Sequence, residues 1–297
     1  MAMDLTVTGL IDDVKRTGGF PDGLFSDDDY LAFANDAMSN TLIPFLMRHR
    51  EDYFMTYTDF LAADVIAIPE DAIAQKLKDV VLVDASNNMI NVPRLSIEEI
   101  SAGRYETISP IGFYLEDNNI KFYPANKITN TIRIYYFKRP NYLILNEDCA
   151  KIVTITGAAA TVNAVPTGWT TATEIDVVSN LHPFAVTTTY TISSIADPVI
   201  NLSASGAVAN QYICPKGYTV YPKIPIEIRD ILTKSTVEAG LLAIKDVAGL
   251  KAIKEDIKEL IDDLSTLITP RVDGECKKIV NVSGIFPQSR SNSFRRY

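Results

Sequence analysis

The sequence predicts an α+β protein, with N- and C-terminal helices forming a bundle, a central antiparallel β region and an inserted small all-β module. Three observations lead there. Apolar residues recur every three to four positions near both ends of the chain, the period of an amphipathic helix. Between about Phe54 and Leu145 they recur every second position, the period of a strand. The stretch from Ile152 to Pro215 is compositionally foreign: it has no lysine or arginine, only Glu174, Asp176 and Asp197 as acids, and eleven threonines. These shifts divide the 297 residues into N-terminal bundle helices (1–53), an antiparallel β domain (54–148), the Thr-rich module (149–222), C-terminal bundle helices (223–270) and an extended basic tail (271–297).

The first helix is expected from about Asp4 to Thr17, with Leu10, Ile11 and Val14 on one face and Gly18-Gly19 as its stop. A turn through Phe20-Pro-Asp-Gly23 follows. Ser26 marks the next start, with three aspartates in the first turn and Asp29 at the capping-box position. Leu31, Ala34, Met38, Leu42 and Phe45 continue its stripe, and Pro44 should kink it or begin a separate short turn. In the β region, Val65–Ile68, Val80–Val83, Met89–Val92, Ile120–Tyr123 and Ile132–Tyr136 read as strands. Asp84–Asn88 and Asp117–Asn119 read as hairpin turns, and Ser96-Ile-Glu-Glu99 opens a short helix.

Thr-rich alternation with Gly, Pro and Asn turns makes 152–215 a small all-β module. Cys149 and Cys214 bracket it. An inserted domain leaves and returns at neighbouring points, which would bring the two thiols close; a disulfide and a coincidental placement both stay open. Beyond Tyr221-Pro222 the helical period returns through Ile228, Ile231, Leu232, Leu241, Leu242 and Ile244. Leu250, Ile253, Ile257, Leu260, Leu264 and Leu267 then form a seam, with Gly249 expected to separate two helices and Thr269-Pro270 to end the run. Leu31, Met38, Ile253, Ile257, Leu260 and Leu264 are the expected positions for packing in the bundle or between subunits of a ring.

Composition excludes several classes of function. Apolar residues make up 47% and charged residues 22%, a globular balance, and the net charge of −9 argues against a general nucleic-acid coat. No apolar run is long enough to span a membrane. Nor does the N-terminus read as a secretion signal, so a cytoplasmic product with reduced thiols is expected. With only two histidines, His49 and His182, and three scattered cysteines, no metal or catalytic set can be drawn. No phosphate-binding or nucleophile-elbow glycine pattern appears. Asp27-Asp28-Asp29 reads as helix capping rather than a cation site. An enzyme is not expected, and neither is a cofactor.

The C-terminal stretch breaks the charge rule. From Cys276 to Tyr297 there are five basic residues and no acidic one, against 23 basic and 37 acidic residues before it. Three readings compete for this tail. It is a terminus without a role, a weak DNA contact through Arg290, Arg295 and Arg296, or an arm docking on a protein groove with Phe294 and Tyr297 as anchors.

The order of these features resembles the head-to-tail adaptor (connector) family of tailed bacteriophages. Thr6-Val-Thr-Gly-Leu-Ile-Asp-Asp-Val-Lys15 is similar to that family's opening helix, and Phe25-Ser-Asp-Asp-Asp-Tyr-Leu-Ala-Phe-Ala-Asn35 to its second. The short Ser96 helix follows, then Gly112-Phe-Tyr-Leu115, Ile120-Lys-Phe-Tyr-Pro124 and Ile132-Arg-Ile-Tyr-Tyr-Phe-Lys-Arg-Pro140. The likeness covers about residues 4–145 and, more loosely, Ile224 to Leu267. The Thr-rich module departs from the family's plain layout.

The resemblance implies a structural virion protein, made in the host cytoplasm. It implies a homo-oligomeric ring, typically of twelve subunits, beneath the portal protein at the capsid vertex. Such a ring extends the DNA channel, passes DNA without reading its sequence and offers a platform for tail or nozzle proteins. An extended C-terminal segment docks on the portal, which assigns that role to Arg290, Phe294, Arg295, Arg296 and Tyr297. No membrane partner is implied. The alternative is another phage tail or fibre-attachment protein whose inserted β module binds a partner or a glycan.

Overall fold

The computed structural model describes residues 4–101, 112–125 and 127–268. The chain opens with helix α1 (Val7–Gly18), which starts where the Thr6 hydroxyl accepts the Gly9 amide. It ends at Gly19 in the left-handed conformation, a geometry that favours glycine. Helix α2 (Asp27–Ala37) begins with the anticipated capping box between Ser26 and Asp29. Pro44 does not end the run. A π turn over Met38–Leu42 carries it into α3 (Ile43–His49). An inserted residue there spares a proline that has no N–H and whose ring crowds the preceding turn.

Seven strands and a short helix follow: β1 (Met55–Phe60), β2 (Val65–Ala67), β3 (Ala72–Val83), β4 (Met89–Asn91), α4 (Ile97–Ser101), β5 (Gly112–Glu116), β6 (Asn119–Tyr123) and β7 (Thr131–Lys138). They make two antiparallel sheets, ordered β1-β7-β3-β4 and β2-β6-β5. The sheets share a core of Ile66, Val80, Leu82, Ile120, Ile132 and Ile134. Strict alternation puts Ile132, Ile134 and Tyr136 inside and Arg133 and Tyr135 on the other face of β7. The two expected turns are present. Asp84 Oδ1 accepts the Ser86 and Asn88 amides, both at 2.8 Å. Asp117 and Asn118 both take positive φ, the hallmark of a two-residue hairpin turn.

The chain then enters the inserted module through β8 (Tyr142–Leu143). Six strands form a closed barrel: β9 (Ala150–Thr156), β10 (Ala159–Val162), β11 (Glu174–Val178), β12 (Val186–Ala196), β13 (Val199–Leu202) and β14 (Tyr212–Pro215), in the order β10-β13-β12-β11-β14-β9. Closure removes the sheet edges that would otherwise invite pairing with other chains. Ile152, Ile175, Val177, Tyr190, Ile192 and Ile200 fill the interior. The chain leaves through β15 (Tyr218–Thr219), which lies parallel to β8. Entry and exit are therefore neighbours, as an insertion requires.

Two helices complete the fold, α5 (Arg229–Ile244) and α6 (Val247–Leu267). The break between them is not at Gly249. It falls at Lys245, which adopts the left-handed conformation, and Asp246, whose Oδ1 accepts the Ala248 and Gly249 amides at 3.1 Å. Gly249 lies in the first turn of α6, where a Cβ would collide with the Asp246 carboxylate. Aspartate as an N-cap outweighs glycine as a spacer.

Helices from both ends of the chain share one core: Leu10, Val14, Tyr30, Leu42 and Leu46 pack with Ile228, Ile231, Leu232 and Val237. Phe20 packs so closely on α5 that a Cβ at Gly240 would lie 2.7 Å from its Cζ. Buried Arg229 ties the two ends further, donating to the Asp4 carbonyl at 2.8 Å and to Asp13 Oδ2 at 3.4 Å.

Candidate functional site

His49 is half-buried with its ring 4.8 Å from Phe45, and His182 lies in an exposed loop against Phe184 at 5.5 Å. Asp27 pairs with Lys15 at 2.7 Å, while Asp29 caps its own helix, its carboxyl held below the ordinary value by hydrogen bonds from Ser26. Among the described residues no three His, Cys, Asp or Glu side chains gather as a metal ion would need. No described helix is long and apolar enough to cross a membrane.

An aromatic and charged patch lies on the side of the β1-β7-β3-β4 sheet that faces away from the core it shares with β2-β6-β5. The register sets Tyr57 opposite Tyr135 and Asp59 opposite Arg133. The tyrosine rings lie 5.7 Å apart, and the Arg133 guanidinium sits 4.2 Å from the centre of the Tyr57 ring. Two parallel bonds, 2.7 and 2.8 Å long, join Arg133 to the Asp59 carboxylate. That pairing lowers the Asp59 pKa and raises that of Arg133. It also fixes the guanidinium plane over the ring at little further entropic cost. Met55 and Met89 extend the patch and are about half exposed. Tyrosine, arginine and methionine are the side chains enriched where proteins meet.

A second exposed apolar group lies at the α5–α6 corner. Leu242 is 64% and Val247 77% exposed, with Ile244 beside them in sequence. The six expected packing positions on α2, its continuation and α6 lie elsewhere. Met38, Ile253 and Ile257 are buried, and Leu31, Leu260 and Leu264 are half-buried against the same helical core. All six therefore pack within the chain's own fold. The charged face of α6 is partly paired with α5, through Lys234–Asp256 at 3.0 Å and Lys254–Glu238 at 3.5 Å. Arg290, Phe294, Arg295, Arg296 and Tyr297 lie outside the described residues.

At the neck of the barrel, β14 pairs with β9 through Tyr212↔Lys151 and Ile213↔Ala150. The next pair in that register is Cys214 and Cys149. Both thiols are free and buried. Contact with Cys214, reinforced by burial, pushes the Cys149 thiol well above its ordinary value. Beside them, buried Asp176 accepts from Asn141 Nδ2 and the Gly217 amide, both at 3.0 Å, and from Thr189 Oγ1 at 2.6 Å. These bonds hold the barrel wall to the segments that connect it.

Asn35 has a role that no periodicity points to. Its amide donates to the Leu143 carbonyl at 3.1 Å and accepts the Leu143 amide at 2.8 Å, so α2 is bonded to β8. The only signal was a poor helix former in mid-helix. Arg133 and Tyr135 could be read as solvated from the alternation of β7, but only the pairing with β1 brings Tyr57 and Asp59 to them. No family model matches this chain and no curated protein matches it.

Proposed function

We propose that this protein is a structural subunit of a tailed-bacteriophage virion, a head-to-tail adaptor that assembles as a ring beneath the portal. The observation that carries the reading is the arrangement of the chain ends. Helices from the N- and C-terminal parts of the described chain share one core, which supports reading them as a single bundle that carries the sheets and the barrel. Subunits of this shape pack side by side through their helical parts, leaving the β parts to face other virion proteins. The aromatic sheet face around Tyr57 and the apolar corner at Leu242 and Val247 are the surfaces available for those contacts. The role is mechanical and requires no catalytic group.

In this account the basic tail docks on the portal, with Phe294 and Tyr297 as anchors and the arginines setting register. Removing Ser289–Tyr297 is expected to abolish co-sedimentation with the cognate portal protein while leaving the far-ultraviolet spectrum unchanged. A truncated protein that still joins the portal would sink the tail assignment. A second reading is favoured by the barrel, which has its own closed core and reaches the rest of the chain through adjacent strands. There the protein is another tail or fibre-attachment component and the barrel is the working part. Retention of the full chain on a glycan array, lost when the barrel is deleted, would select it.

A further inference from the structure

Where the barrel meets the sheet unit there is a crevice of about 250 Å³, walled by β1, the 138–141 segment, the stretch entering β12 and Lys223. Three of its side chains, Lys138, Arg139 and Lys223, are cationic and none is acidic. The chain as a whole has 37 acidic and 28 basic residues, so such a cluster runs against the general field. Lys138 has Asp71 at 3.4 Å, both side chains being well exposed. Neither Arg139 nor Lys223 makes an ion pair with a described residue. Burial, and secondarily the charge of Lys138, hold the Lys223 amine below the ordinary lysine value.

We propose that this crevice binds a small oxyanion of the phosphate class. An amine placed in a half-buried site beside a second amine is unfavourable without a counter-charge. A tetrahedral anion would supply it, accepting from two ammonium groups and the guanidinium fork. Pro140 and Phe184 are buried and close part of the wall, so the electrostatic attraction is less screened than at an open surface.

The test uses the full-length protein in chloride buffer, titrated with sodium phosphate against sodium chloride at equal ionic strength. Phosphate is expected to raise the unfolding midpoint in proportion to the logarithm of its concentration above Kd, by about 5 °C at a hundredfold excess over Kd. Lys223→Met should unfold at or above the wild-type midpoint without phosphate and show no phosphate-dependent rise. Lys138→Met should weaken phosphate binding about tenfold in calorimetry. Lys258→Met, an exposed site on α6, should keep the whole response. A wild-type response no larger than that to chloride, or a Lys223→Met protein that keeps it, overturns the proposal. Should Lys223→Met not fold, absence of saturable heat when phosphate is titrated into the wild type does the same.

Discussion

Asn35 does with one side chain what a neighbouring strand does with its backbone, satisfying both the N–H and the C=O of Leu143. β8 is only two residues long and pairs on its other side with β15, so this amide is what anchors the neck of the barrel to α2. Asn35→Ala removes both partners and leaves part-buried backbone groups unsatisfied, a loss of about 1–3 kcal/mol in urea unfolding. A change below about 0.5 kcal/mol would mean that water replaces the amide without cost. Arg229 plays a comparable part at the chain start. In the sequence it is simply a charged residue near an apolar stripe, because its partners, Asp4 and Asp13, lie at the opposite end of the chain.

Among the elements, what was legible depended on how local its cause is. The Ser26 box, the Asp84 turn and the Asp117-Asn118 hairpin are set by residues within a few positions of one another, and all three read directly from sequence. Sheet order is set by distant pairing. Nothing local says that β7 lies between β1 and β3, or that six Thr-rich strands close into a barrel. The helix break at Lys245 rather than Gly249 shows two local signals in competition. A lysine in the left-handed region costs about 1 kcal/mol relative to glycine. Lys245→Gly is therefore expected to stabilise the protein by about that amount in chemical denaturation, with an unchanged slope. Destabilisation would show that the lysine side chain contributes at this corner. The cysteine pair was legible only as a possibility. Its register across β9 and β14 makes the proximity real, and the two sulfurs remain thiols.

At the scale of the whole molecule, the division into two helical ends, a sheet unit and an inserted module followed from shifts in apolar period and composition. That helices from both ends pack together was expected from the order of elements alone, since periodicity marks which face is buried and not what covers it; α1, α2 and α5 do share one core. That shared core, together with the exposed apolar residues around Tyr57 and at the α5–α6 corner, is what the ring account draws on. On the proposed reading, an acidic body would offer phosphates in transit no broad attractive field. The most direct test is electron microscopy of the full-length protein mixed with its cognate portal. The account predicts a second ring stacked coaxially on the portal, twelvefold by the family resemblance, with density for the barrel at its periphery. Portal rings that stay bare, with the protein monomeric beside them, would contradict it.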